Sequence, residues 1–188
     1  MPEKIQIQTF SELSPELEIV RKNFGDRNFD IEEAGDPDWA EEIKEWFWKD
    51  PDTYVLAYLG DELVGVATFF KKEVEFQGEK LKIAGLGGLT VAKEHRGEGV
   101  GRKLIEERLK IAQEWGADIA FLNTDIDKLG GMFAKFGFQP LGRNYSFVGK
   151  SGQVHEDDSG MIAPINSRDK FAKVLQSVEV FFIGESNV

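Results

Sequence analysis

The run Leu89-Thr90-Val91-Ala92-Lys93-Glu94-His95-Arg96-Gly97-Glu98-Gly99-Val100-Gly101-Arg102 places an apolar strand, a glycine-rich turn and a helix start in immediate succession. The first N–H groups of a helix have no partner within it, and the helix dipole adds positive potential there. Glycine lets an anion approach the backbone closely, so this order of elements predicts a pyrophosphate cradle over Arg96 to Arg102. A dinucleotide-binding loop fits less well, because the sixth position from Gly97 is Arg102 and the strands upstream read as antiparallel. A nucleotide P-loop needs Gly-Lys-Ser/Thr, which is missing here. The plain alternative is a turn that holds no ligand, although Gly97, Gly99 and Gly101 cost chain entropy without an evident folding benefit.

Around that turn the chain reads as mixed α/β, with a central, mostly antiparallel sheet flanked by helices. Lys4 to Phe10 alternates as a first strand, and Ser14-Pro15-Glu16 opens a helix to about Phe24. Gly25 to Asp38 lacks a period and reads as a loop, and Trp39 to Lys49 as an aromatic-rich helix stopped by Asp50-Pro51. Thr53 to Leu59, Glu62 to Lys72 and Lys80 to Val91 form a meander around Gly60-Asp61 and Gln77-Gly78-Glu79. Glu98 to Trp115 is the best helix, with Leu104, Ile105, Leu109 and Ala112 on one face and Gly116 as its stop. Ile119 to Leu122 reads as a buried strand and Leu129 to Phe136 as a helix. Strands at Gly142 to Val148 and Gly160 to Ile165 are expected to close the sheet across a polar loop, Lys150 to Ser159.

A length of 188 residues suits one domain, taken as 1–188 with a C-terminal extension at about 166–188. No stretch approaches the roughly 20 apolar residues that span a bilayer, and no signal-peptide core is visible, so a cytoplasmic enzyme with no membrane partner is expected. The absence of cysteine removes disulfides, cysteine-zinc sites and a cysteine nucleophile, and no metal is expected. A formal charge of −11 argues against nucleic acid and favours cationic ligands wherever carboxylates gather. A homodimer stays open.

Arg96-x-x-Gly99-x-Gly101 after an apolar strand and before an amphipathic helix resembles the acetyl-CoA signature of the GCN5-related N-acetyltransferase (GNAT) superfamily. Leu129 to Phe138, ending Phe136-Gly137-Phe138, is similar to that superfamily's next helix and its exit. The resemblance in layout runs from about Ile5 to Ile165. It implies the acyl-CoA N-acyltransferase fold, acetyl-CoA as cofactor, and direct transfer to an amine. Backbone groups of Leu89, Thr90 and Val91 would then hold the pantetheine arm. Amides of Arg96, Gly97, Glu98, Gly99, Val100, Gly101 and Arg102 would hold the pyrophosphate, and Asn123 would either bond the pantetheine or start the next turn.

Two proton handlers of the family are missing from their usual places. Phe133 stands where the tyrosine acid is expected, and Gly85-Leu86-Gly87-Gly88 where a carboxylate often precedes the turn, at Gly87. Tyr145 and Asp158 are the catalytic candidates instead, with Glu156, Asp157 and His155 behind them; the plain alternatives are an amphipathic strand residue at Tyr145 and a solvated or substrate-binding acidic loop at Glu156, Asp157 and Asp158. His95 reads as a surface residue of the turn. A narrower resemblance, to aminoglycoside 2′-N-acetyltransferases, rests on Asp38-Trp39, the long hairpin into Gly88-Leu89-Thr90-Val91, and Asp157-Asp158 before a strand ending Pro164-Ile165. It implies that Glu33, Asp38, Asp157 and Asp158 meet substrate ammonium groups and that the terminal carboxylate of Val188 approaches the site. The expected function is acetylation of a small cationic amine, aminoglycoside-like or polyamine-like. A non-catalytic acyl-CoA sensor and a protein N-acetyltransferase are the alternatives.

Overall fold

The computed structural model describes residues 4–28 and 37–188, with side chains in the second helix described from Glu41 onward. A seven-stranded sheet carries the order β1(Gln6–Phe10), β2(Thr53–Leu59), β3(Glu62–Phe76), β4(Glu79–Val91), β5(Ile119–Asn123), β9(Gly160–Pro164), β6(Gln139–Pro140). Its neighbours are antiparallel except β4 and β5, a parallel pair joined by the crossover connection such a pair needs, here through α3(Val100–Trp115). A second sheet of three strands runs β10(Phe181–Glu185), β7(Tyr145–Val148), β8(Val154–Asp157).

Alternation along the strands sorts the core into two faces. Ala120 and Leu122 of β5, with Ala84 and Leu86 of β4, pack against Ile105 and Ala112 of α3 and Phe133 of α4(Ile126–Ala134). On the other face Ile83, Phe121 and Ile162 meet Tyr145, Phe147, Phe181 and Ile183 of the second sheet, with Val174 of α5(Arg168–Gln176) and Val188. Nearer β1 that second face is covered by α1(Pro15–Asn28), whose Phe24 packs on Leu56, Val66 and Ala92.

Local chemistry explains most element ends. Ser14 caps α1, its hydroxyl accepting from Leu17 N at 3.2 Å. The two-residue loop Gln77-Gly78 has positive φ at both positions (50° and 79°), the twist that matches a tight hairpin. Gly116 ends α3 in the left-handed conformation, its N–H bonded back to Ala112 and Gln113.

Several boundaries differ from the sequence reading. The first helix passes Gly25 and runs to Asn28, whose amide donates to Phe24 O at 3.0 Å and whose Oδ1 accepts from Lys93 N at 3.2 Å. That tertiary link outweighs the glycine. The helix read as Trp39 to Lys49 is α2(Pro37–Trp46). The helix read as starting at Leu129 starts at Ile126, because the Asp125 carboxylate accepts from Lys128 N at 3.1 Å. Gly142 to Val148 does not close the main sheet: β7 leaves it for the second sheet, and the supposed loop Lys150 to Ser159 contains its hairpin partner β8. The pair β6 and β9 closes the main sheet instead.

Candidate functional site

The glycine turn lies between a 3-10 turn at Lys93–His95 and α3. Gly99 is the N-cap residue of α3, left-handed at φ 89°, and offers no side chain to cap the helix. The N–H groups of Val100, Gly101 and Arg102 meet no acceptor among the described residues; the first helical bond is Lys103 N to Gly99 O at 3.1 Å. The space outside the turn is open, since a Cβ at Gly97 or Gly99 would meet nothing within 4 Å. Unsatisfied donors facing open space at the positive end of a helix suit an anion such as a pyrophosphate. Arg96 ties the turn down: its Nη2 donates to Asn28 O at 2.8 Å and its Nε to Val91 O at 3.4 Å. His95 Nδ1 lies 2.9 Å from Glu98 Oε2, and that bond raises the histidine's pKa.

Next to the turn, β4 and β5 separate. They pair only over Ile83–Gly85 against Ile119–Phe121, so from Leu86 onward β4 has β3 as its one strand neighbour among the described residues. The β3–β4 register slips there: Val66 faces Thr90 while Thr68 faces Gly87, leaving Gly88 and Leu89 opposite the single residue Ala67. Gly88 takes φ 56° at this bulge. An extended chain such as pantetheine, which bonds through amides, fits a parted strand edge of this kind.

The sheet face opposite α3 is occupied, in front of Gly85 and Gly87, by the segment that follows β10. A Cβ on Gly85 would stand 2.5 Å from Val188 Cγ1, and one on Gly87 would stand 2.7 Å from the Val188 backbone carbon. The segment is tied on several sides. Ser186 N donates to Val148 O at 2.8 Å, Asn187 N to Trp46 O at 2.7 Å, and Lys72 Nζ to the carbonyls of Glu185 and Ser186 at 2.8 and 2.6 Å. Lys49 pairs with Glu185.

Burial, reinforced by Lys49 and opposed by Glu185, pulls the Lys72 pKa down to about 7. Between that value and its ordinary 10.5 the unfolded chain holds a proton that the folded chain has released, so this lysine makes stability rise with pH over that window. Below pH 7 both states are protonated and its destabilising contribution is complete. The expected result is that Lys72→Met loses a slope of up to about 1.4 kcal/mol per pH unit from pH 7 to 10, measured as the wild-type minus variant difference in urea unfolding. Parallel profiles for the two proteins would contradict it.

Residues 7–141 match the family model described as an acetyltransferase (GNAT) domain. The chain belongs to the GNAT acetyltransferases. Its fold is shared with solved structures at low identity. The GNAT family N-acetyltransferase YhbS of Escherichia coli, solved in complex with CoA, is 18% identical at a TM-score of 0.60, over 97% of this chain and 90% of that one. A protein from Pyrococcus horikoshii is 23% identical at 0.58, over 86% and 98%. A GCN5-related N-acetyltransferase from Kribbella flavida is 23% identical at 0.53; this chain covers 35% of its length, with 76% of its own residues aligned. No curated protein matches the chain. As a GNAT acetyltransferase it is an acetyl-CoA-dependent enzyme, and the mixed sheet flanked by helices is the fold that the sequence resemblance implied.

Within this GNAT frame the proton-handling candidates fall in distinct places. Phe133 is buried in the α3–α4 core, edge-on to Phe138 with ring centroids 5.9 Å apart. Tyr145 is fully buried on the opposite face, 4.8 Å from the Phe121 ring, and its hydroxyl exchanges hydrogen bonds with the Asn187 side chain at 3.0 and 3.2 Å. Burial, with Asp157 nearby, pushes its pKa well above the ordinary tyrosine value. Asp157 faces Tyr145 across β7 and β8 and accepts from Ser159 N at 2.6 Å; Asp158 is exposed at the β8–β9 turn. This turn abuts the end of β5, where Asn123 pairs with Gly160 and Thr124 N donates to Ser159 O at 3.1 Å. Glu156 accepts from Asn144 at 2.9 Å, and His155 bonds Glu45 of α2 at 3.0 Å and stacks on Phe147, which commits it to the second sheet. Glu33 lies outside the described residues, and Asp38 is in the first turn of α2 with its side chain outside them.

The sequence reading missed Asn28, Lys72, Asn187 and Arg108. Arg108 alone carried a signal: it lies one helical turn from both Leu104 and Ala112, a cation on the apolar face of α3.

Proposed function

We propose that this enzyme passes the acetyl group of acetyl-CoA directly to a primary amine of a small cationic molecule, aminoglycoside-like or polyamine-like, in the cytoplasm. The observation that carries the reading is the position of Asp157 and Asp158, at the turn abutting the end of β5 where the β4–β5 gap opens. With the net charge of −11 they give the mouth of that gap a field that draws ammonium groups.

Bound acetyl-CoA supplies an activated acyl carbon and a thiolate leaving group. In this reading the amides of Gly97 to Arg102 hold its pyrophosphate, Leu89 to Val91 with Asn123 hold its pantetheine, and N–H groups of the bulge polarise the thioester carbonyl. Asp158 receives the substrate ammonium, and either Asp157 or a water it holds takes the proton that an amine of pKa near 10 must lose before attack. Tyr145, which carries its proton at neutral pH as an ordinary tyrosine does, serves as the acid toward the thiolate, although burial makes it a weaker acid than a free tyrosine.

The test is acetyl-CoA consumption across spermidine, an aminoglycoside and neutral primary amines. Cationic acceptors are expected to be turned over in preference, Asp158→Asn to raise their KM several-fold, and Tyr145→Phe to lower kcat with acetyl-CoA binding intact. A flat response with tight acetyl-CoA binding would support the second reading, a non-catalytic acyl-CoA sensor. The filling of the space before Gly87 by Val188, where a proton handler is otherwise expected, favours that second reading.

A further inference from the structure

Arg108 is 1% exposed in the middle of α3, among Leu104, Ile105 and Ala112. Its Nε donates to Leu104 O at 3.2 Å, and its Nη1 donates to Gly87 O at 3.1 Å and Thr68 O at 3.4 Å. Nη2 is buried with no partner, and burial alone pulls the guanidinium down to about 9, so it remains a cation at neutral pH. No carboxylate balances it among the described residues. A leucine or methionine here would join the core, whereas a buried unpaired charge costs several kcal/mol. Packing therefore gives no reason for an arginine at this position.

The two carbonyls it reaches supply the reason. Thr68 and Gly87 face each other at the last regular rung before the register slips at Gly88 and Leu89. A bulge interrupts the ladder, so the peptide units beside it are held less firmly by strand pairing alone. Arg108 supplies charged donors to both. The Gly87 carbonyl shares a planar peptide unit with the Gly88 N–H, so a cation on the oxygen also polarises that unit and fixes its orientation.

We propose that Arg108 is a positioning residue for acetyl transfer: from α3 it clamps the carbonyls of the β3–β4 bulge and so aims the bulge N–H groups at the thioester carbonyl. This rests on the reading above that the acetyl end of the cofactor lies at Gly87 to Leu89. Arg108 touches neither the cofactor nor the amine; its effect passes through the backbone.

The experiment records the carbonyl resonance of [1-13C]acetyl-CoA bound to wild type, Arg108→Met and Arg108→Gln, alongside CoA affinity by calorimetry and the melting temperature of each. Wild type is expected to move the carbonyl downfield from its free position. Arg108→Met is expected to melt at the same temperature or higher, to bind CoA as wild type does, and to return the carbonyl to its free position. Arg108→Gln, with donors but no charge, is expected to give an intermediate resonance and serves as the folded comparison should the methionine variant unfold. Retention of the full downfield displacement in either folded variant overturns the proposal. Loss of CoA affinity and melting temperature in step with the displacement overturns it as well, because it marks a merely structural role. Failure of wild type to bind CoA, or to move the carbonyl, overturns the underlying reading of the site and the proposal with it.

Discussion

Gly101→Leu is expected to weaken acetyl-CoA binding by at least about 100-fold, close to 3 kcal/mol, while the protein stays folded. Gly101 is the second residue of α3, and a Cβ there would meet only Val91 Cγ2, at 3.6 Å, an ordinary contact. Replacing glycine by a better helix former at such a place costs the fold nothing and stabilises it by up to about 1 kcal/mol. The rest of a leucine side chain would stand over the unpartnered N–H groups of the first turn, where the pyrophosphate is proposed to sit. Gly99 is a poorer test, because its φ of 89° puts strain into the fold with any side chain. Calorimetric titration with acetyl-CoA, paired with a melting curve, checks the result. Unchanged affinity would move the pyrophosphate off this turn.

Gly87→Val is expected to lower stability by about 3 kcal/mol, or roughly 6–12 °C in Tm for a chain of this size, and to free the C-terminal segment for proteolysis. The added Cβ would approach the Val188 backbone carbon to 2.7 Å, Thr68 Oγ1 to 3.0 Å and Phe70 Cε2 to 3.1 Å. The Val188 contact is to backbone and is relieved only by displacing the segment after β10, whereas Thr68 Oγ1 and Phe70 Cε2 are side-chain atoms that can turn aside. Its departure would break the bond from Lys72 to Ser186 and the Tyr145–Asn187 pair. It would also expose Val188, which is 4% accessible. Thermal unfolding and limited proteolysis read both effects, and a wild-type melting temperature with a protected C-terminal segment would contradict the account.

These two glycines show where the sequence was legible and where it was not. The glycine turn could be read because its order is local: strand, glycines and helix start are contiguous from Leu89 to Arg102, with the helix beginning at Val100 rather than at Glu98. The meander was legible for the same reason, its turns at Gly60 and Gly78 lying between alternating runs. Gly85 and Gly87 read as a missing carboxylate, whereas their lack of side chains makes room for Val188, about 100 residues away in sequence, a contact with no local sign. The second sheet was missed on similar grounds. β8 is the acidic run Val-His-Glu-Asp, which alternates weakly, and it forms because Tyr145 to Val148 and Phe181 to Glu185 offer it a sheet to join. The end of α1 was misplaced at Gly25 because Asn28 is held by Lys93 and Arg96, which lead into the glycine turn.

The measurement that reaches the central claim most directly is a crystal structure of the protein with acetyl-CoA. The account predicts pyrophosphate oxygens within hydrogen-bond distance of the N–H groups between Gly97 and Arg102, pantetheine in the gap between β4 and β5, and the thioester beside Gly87 to Leu89. Acetyl-CoA bound away from this turn, or with its thioester remote from the bulge, would contradict it.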